Sequence, residues 1–530
     1  MRIGVAIAFG LVALSIVYLS IDEPGLTIDE PINTGHGKRM VYALTHDVAR
    51  ESPAVWIDGL FRSGHEHPPL ARFLIGLAHA SVDPAPNDAD VIVPFGGRPA
   101  SAIAFGVVVG LAAWEAGRWA GLAGSIWAGL FTLLLPRLLG HAYFASPEVI
   151  STAFMLASLI ACRIAMEPSP RWTARVLAYV VAGFAIGLAM LTKLTAVVVP
   201  ITFLISLLLT HGLRSLGPLL LTGSISMVTL VGGWPWLWPV DLPGYSAGWL
   251  GTGERLVEFF RVGLDRATIY VDYLGTQYPH DGLNVPWHFV WFFFVFTLPV
   301  STLLLGAIGW GEMFVHRRTS PSAVVWIIMP ILSLSLFTLP IDRYDSERLF
   351  LFIFPVISLL AGTAVKCAGR SRIALTILWL IGSVGMAWTL RSLVLLHPLP
   401  LSYFNELLGG LRGAERCQVE LTYWGDTVTP AFLDGWASQA DEGDHAILIP
   451  TLYQGHPHAM MTPAMQKRNL RIIPPPPVGT GGAPWAIVFR REGYLHDKIA
   501  KEVMQKGTLV AEQTREGVWL TRLYRLPAEH

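Results

Sequence analysis

The sequence predicts an α-helical polytopic membrane protein of about eleven transmembrane helices, with a small C-terminal α/β or α+β domain. Three observations predict it. Of the 530 residues, 53% are hydrophobic and 14% charged, an apolar excess that one soluble core does not need. Apolar runs recur along the first three quarters of the chain, long enough to cross a bilayer at about 1.5 Å per residue. Lys and Arg collect in alternate connections between those runs, as residues retained on the cytoplasmic side do. Lys+Arg and Asp+Glu are both 38, so no global basic field speaks for nucleic acid. Cys162, Cys367 and Cys417 are scattered, and we read them as free thiols.

The first apolar run, residues 3–19, follows a single Arg2. A cleaved signal peptide is the alternative, but no small-residue cleavage site stands out before Asp22 and the segment that follows holds the most informative residues, so we expect an uncleaved first helix. Further spans are expected over 100–114, 122–139, 149–164, 176–191, 196–209, 216–237, 289–310, 323–339, 349–365 and 373–390. If Arg2 lies inside, so do Arg118, then Arg163, Arg171 and Arg175, then Arg214, then Arg317 and Arg318, then Lys366, Arg370 and Arg372. The reading is a multi-pass protein of the cytoplasmic (inner) membrane with a cytoplasmic N-terminus and an extracytoplasmic C-terminus. It divides into a transmembrane module over 1–398, with outer loops 20–99 and 239–287, and an extracytoplasmic C-terminal domain over 399–530.

In that domain the pattern changes to short β-rich runs at 446–449, 485–489, 508–513 and 517–526, with a helical stretch at 495–505 between two of them. Residues 474–477 are four prolines, expected to be a stiff connector. No solenoid repeat, P-loop, Rossmann glycine motif or zinc-type histidine pair occurs.

Polar residues gather at the outer ends of the expected helices, in four constellations. Asp29 and Glu30 stand before Pro31, at an extended-to-helix junction, where a helix-dipole role is the alternative to chemistry. His65, Glu66 and His67 precede two prolines and a short apolar stretch, 73–80, expected to lie along the membrane surface. The two histidines are candidate metal ligands, and a polar turn is the plainer reading. Ser146, Pro147 and Glu148 make a helix start needing no catalysis, with Ser146 as N-cap. Lys193 lies in a short outer turn, and Asp342, Arg343, Tyr344 and Arg348 precede a late span. Cations at outer helix ends run against the positive-inside bias and call for a phosphate or an acidic partner, snorkelling to headgroups being the alternative. Acids and cations thus converge on one face of the membrane, as departure of a phosphate would require.

The residues Asp29-Glu30, His67-Pro68-Pro69-Leu70, the run 187–193 ending Thr192-Lys193, and Arg343-Tyr344 within 342–349 resemble, in order and sidedness, the membrane-embedded GT-C glycosyltransferases. The group resembled is glycosyltransferase family 39, the protein O-mannosyltransferases and aminoarabinose transferases. The likeness is spread over residues 20–365. Residues 403–410 and Tyr423-Trp424-Gly425 resemble bacterial members of the group, with no chemistry evident from the residues alone.

The resemblance implies inverting transfer of a sugar from a polyprenyl-phosphate donor to a hydroxyl on the extracytoplasmic face. It assigns Asp29 as catalytic base, with Glu30 beside it and Glu148 where many relatives have Asp. Lys193, Arg343, Tyr344 and Arg348 become candidate donor-phosphate residues, and His65, His67 and His280 candidate site histidines. No organic cofactor is expected, a divalent metal is left open, and the acceptor is a lipid, a glycan or a protein. A lipid or solute transporter is the rival reading. Transporters usually place ionisable residues mid-span, whereas these lie at helix ends. An interaction protein displaying its C-terminal domain would not explain the polar clusters.

Overall fold

The computed structural model describes residues 1–45, 52–64, 67–83, 92–264, 269–278, 285–369, 371–476 and 479–527. The helices are α1 (Arg2–Leu19), α2 (Glu30–Thr45), α3 (Pro53–Phe61), α4 (Pro69–Ala80), α5 (Pro99–Leu133), α6 (Pro136–Ala142), α7 (Pro147–Ala165) and α8 (Trp172–Met190). There follow α9 (Val198–His211), α10 (Leu216–Gly233), α11 (Gly248–Leu264), α12 (Phe289–Thr297), α13 (Val300–His316), α14 (Val324–Phe337), α15 (Ile353–Thr363) and α16 (Arg372–Leu396). A hairpin of β1 (Val271–Tyr273) and β2 (Thr276–Tyr278) lies between α11 and α12.

Among the described residues, six helices are long and apolar enough to cross a membrane, and the bent pair α12–α13 makes a seventh. The expected eleven runs nonetheless all fall on helix, because two of the long elements are broken at glycines. Gly121, at φ 71°, ends one helix of α5 and lets another begin, and Gly212, at φ 57°, separates α9 from α10. The runs at 323–339 and 349–365 become the shorter helices α14, with Pro330 inside it, and α15. Prolines open α4, α5, α6 and α7 at their first turns, where a missing N–H costs no hydrogen bond. Ser146 is the N-cap of α7 as expected, yet its hydroxyl is buried and makes no capping bond. α1 and α5 approach closely through glycine, since a Cβ on Gly10 would stand 2.8 Å from the Gly106 carbonyl oxygen. The stretch 73–80 is helical as expected, within α4, and α4 packs on α2.

The C-terminal part is a five-stranded mixed sheet in the order β4-β3-β5-β7-β6, formed by β3 (His445–Ile449), β4 (Arg471–Ile473), β5 (Trp485–Phe489), β6 (Thr508–Arg515) and β7 (Val518–Arg525). β3 runs parallel to β4 and β5, and β7 is antiparallel to β5 and β6. The four expected strands and the helix Lys498–Lys506 are present, and β4 is an addition that its three residues gave little periodicity to announce. Packing does not divide at residue 398. Leu399, Tyr403, Phe404, Leu421, Tyr423 and Trp424 are buried in the same apolar cluster as α5, α7 and α15. The three cysteines are free.

Candidate active site

Asp29 stands in the turn that leads into α2, and its carbonyl accepts from the Asn33 N–H at 2.9 Å. That turn is fastened to the segment beyond α16. The Gly25 N–H donates to the Asp426 carbonyl at 2.7 Å and the Ile28 N–H to the Trp424 carbonyl at 3.0 Å. Gly25 is required here, because a Cβ would fall 2.3 Å from the Val428 carbonyl oxygen.

Arg348, just before α15, is the hub. Its Nε donates to Glu148 Oε1 at 2.7 Å, its Nη1 to Asp345 Oδ2 at 2.8 Å, and its Nη2 to Asp29 Oδ2. Lys193, after α8, donates from Nζ to the same Glu148 oxygen at 2.9 Å. The Trp424 ring lies under the Arg348 guanidinium, 4.4 Å from its centroid, and the indole N–H donates to Asp29 Oδ2 at 3.3 Å. The second Asp345 oxygen accepts from Arg491 Nη2 at 2.8 Å. Asp345 and Ser346 hold φ of 53° and 54°, a left-handed conformation that non-glycine residues adopt at a cost and that sets the Asp345 carboxylate between the two arginines. Burial opposes the charge on Arg348, and the carboxylates of Asp29, Glu148 and Asp345 overcome it, holding its pKa well above the ordinary value.

A second layer supports the hub. Tyr423 donates its hydroxyl to Glu347 Oε1 at 3.3 Å and sits 3.0 Å from His141 Nε2, while Arg137 reaches Glu347 at 3.3 Å. Asp29 is the most open of the hub acids, its side chain 28% exposed against 1% for Glu148. On the Lys193 side of the hub an apolar groove of about 350 Å³ starts at Lys193, His67, Asp342 and Tyr344 and runs between Val198, Ile201 and Phe337.

Of the residues singled out in the sequence, the structure brings together Asp29, Glu148, Lys193 and Arg348, with His67 and Tyr344 at the groove. Two others do not join them. Glu30 is 2% exposed and its carboxylate is consumed by the Thr27 and Ala145 N–H groups and by Arg98, so it fixes the α1–α2 connection. Arg343 directs its guanidinium at the carbonyls of Phe337, Thr338, Leu339 and Val285 and closes the end of α14, away from the carboxylates. His65 and His280 lie outside the described residues. Among the described residues, no group of three His, Cys, Asp or Glu is arranged to hold a metal.

Sequence reasoning missed Asp345, Arg491 and the part played by Trp424. Asp345 belongs to the same polar run as Arg348 and was visible there. Arg491 follows a strand more than a hundred residues later and carried no signal.

Behind Arg491, the buried Glu420 has one carboxylate oxygen without a partner. Burial pushes its pKa from 4.5 up to about 8, Arg491 opposing and Asp345 and Asp272 reinforcing the shift. Between those values the unfolded chain has released this proton and the folded chain has kept it. Stability contributed below 4.5 is therefore lost as pH rises through about 8. Glu420→Gln is expected to remove that loss, so its melting temperature should fall less than that of the wild type from about pH 5 to about pH 9. Parallel melting curves for the two proteins would contradict the assignment.

Residues 66–238 match the model of a family described as dolichyl-phosphate-mannose-protein mannosyltransferase. No curated protein matches the chain. Among solved structures it is similar to ArnT from Cupriavidus metallidurans in the apo state, with a TM-score of 0.53 and 16% identity over 98% of each chain. The same protein bound to undecaprenyl phosphate gives a TM-score of 0.52 at 16% identity, again over 98% of each chain. The Archaeoglobus fulgidus oligosaccharyltransferase in complex with Zn and sulfate follows at 0.48 and 13% identity, over 99% of this chain and 74% of that one. With its apolar helices and an architecture shared with ArnT over 98% of its length, the protein has a GT-C glycosyltransferase type fold, a third of which matches a mannosyltransferase family model.

Proposed function

We propose that the protein moves a sugar from a polyprenyl-phosphate donor to a hydroxyl acceptor on the extracytoplasmic face, with inversion at the anomeric carbon and Asp29 as general base. One observation carries this reading. A partly open carboxylate, Asp29, meets Arg348, which shares the Glu148 oxygen with Lys193, and Lys193 lines the end of an apolar groove. A lipid phosphate has that shape, a long apolar tail behind an anionic head, and undecaprenyl phosphate bound to ArnT supports the donor class.

In the proposed reaction Asp29 takes the acceptor proton as the hydroxyl oxygen bonds to the anomeric carbon. The bond from that carbon to the phosphate oxygen breaks, and polyprenyl phosphate leaves with the electron pair. Arg348 and Lys193 meet the growing charge. Before the donor binds they are held by Glu148 and Asp29, so an arriving phosphate competes for Arg348 and loosens its hold on Asp29. The base is thereby released when the leaving group is present.

Incubating purified protein with a panel of polyprenyl-phosphate sugars tests the reading through release of polyprenyl phosphate. Absence of release from every donor would overturn it. Lys193→Ala is expected to lower kcat by about 2–4 kcal/mol in barrier terms, with a smaller change in KM. A wild-type kcat would remove Lys193 from the transition state.

The proposed location is the inner membrane, with the N-terminus inside and residues 399–530 outside. A tag after His530 should be accessible to protease in intact spheroplasts, and one beside Arg317 should not. The reverse pattern would invert the topology.

A further inference from the structure

A second cavity, of about 600 Å³, opens at the far end of the helices that carry the candidate active site. Glu148 begins α7 and Ala165 ends it, while Trp172 begins α8 and Lys193 follows its end. Helices of 19 residues separate the two sites by about 28 Å, close to the thickness of a bilayer core. The two openings therefore face opposite leaflets.

Arg175 in the first turn of α8 and Arg214 in the turn between α9 and α10 reach this cavity from separate connections. Among the described residues neither forms an ion pair. The carboxylate in the same wall, Glu167, is taken up by Arg118 at 3.1 Å and by Arg163, so it does not neutralise them. Below the arginines the lining turns to Val176, Tyr179 and Leu221, with Trp172 at the rim. Two uncompensated guanidinium groups over an apolar, aromatic-walled cavity at a helix-end level match one chemistry, an anionic phosphate with acyl chains attached.

We infer that this cavity binds the headgroup of one anionic phospholipid from the leaflet opposite the active site. Arg175 and Arg214 hold the phosphate and Val176, Tyr179 and Leu221 contact the chains. Ordinary retention of basic residues on one side of a membrane would place arginines at this level. It would not bring two of them from different loops to one cavity without a carboxylate partner.

The test is native mass spectrometry of the full chain released from nanodiscs of phosphatidylcholine containing graded phosphatidylglycerol. The wild type should retain one phosphatidylglycerol saturably, and Arg175→Gln with Arg214→Gln should bind it about thirtyfold more weakly, since each arginine acts on the same headgroup. Arg175→Lys with Arg214→Lys should recover most of the binding. Equal retention by the wild type and the Gln variant would overturn the inference. So would inorganic phosphate displacing the lipid at comparable concentration, which would make the ligand a soluble anion. Should the Gln variant fail to insert, the wild type decides alone. Saturable binding weakened by salt supports the site, and uptake that merely tracks bulk lipid composition overturns it.

Discussion

Asp29→Asn is expected to lower sugar transfer by roughly 10²- to 10⁴-fold in a protein that still folds and still binds donor. Asparagine keeps the volume and can accept from Trp424 and Arg348 through its amide oxygen, but it cannot take a proton at neutral pH. The loss should therefore appear in kcat at saturating donor, with donor affinity little changed. Near wild-type kcat would rule out Asp29 as base and leave Glu148, which touches both cations, as the next candidate. Glu30→Gln discriminates chemistry from architecture. It removes the charge opposite Arg98, which is 0% exposed, and breaking such a buried pair costs about 3–5 kcal/mol. Its signature should be a lower melting temperature, whereas Asp29→Asn should melt close to the wild type.

Arg348→Ala should be the most damaging change at any cation. Three carboxylates, Asp29, Glu148 and Asp345, converge on this guanidinium, and without it they face one another with only Lys193 and Arg491 beside them. We expect transfer to fall by roughly 10²- to 10³-fold from lost stabilisation of the departing phosphate, together with a clear loss of stability. Arg348→Lys separates the two effects. It keeps the charge but replaces a planar fork that serves three acceptors at once with a single ammonium. Stability should return in part while kcat remains low. If Arg348→Lys transfers sugar at the wild-type rate, geometry at this hub is irrelevant and only charge counts.

Much of the fold was legible because lipid leaves its mark on composition. Each apolar run became helix, and the strands at 445–449, 485–489, 508–515 and 518–525 followed β-rich patterns. The breaks at Gly121 and Gly212 fall between expected spans, whereas the bend of 107° between α12 and α13, inside the single run expected over 289–310, is a local backbone event that composition could not show. The site was legible in half. Asp29, Glu148, Lys193 and Arg348 stood out because ionisable residues at helix ends are costly and few. The same rule misled for Arg343, since a cation that caps a helix end in the interior looks identical in sequence to one that awaits a phosphate. Trp424 stood out as a motif whose chemistry appears only when its indole is seen between Arg348 and Asp29, 395 residues apart in the chain from the latter.

That last contact bears on the order in which the protein is made. Trp424 and Arg491 emerge from the ribosome after every apolar run has been synthesised, and both are needed to orient the residues around Asp29 and Arg348. A nascent chain that has threaded all its helices into the membrane therefore holds an unfinished centre. The centre is complete only when the final segments have folded back onto the turn between α1 and α2. Insertion of the helices and completion of this centre are therefore separate events, and the second waits for the last segments to fold.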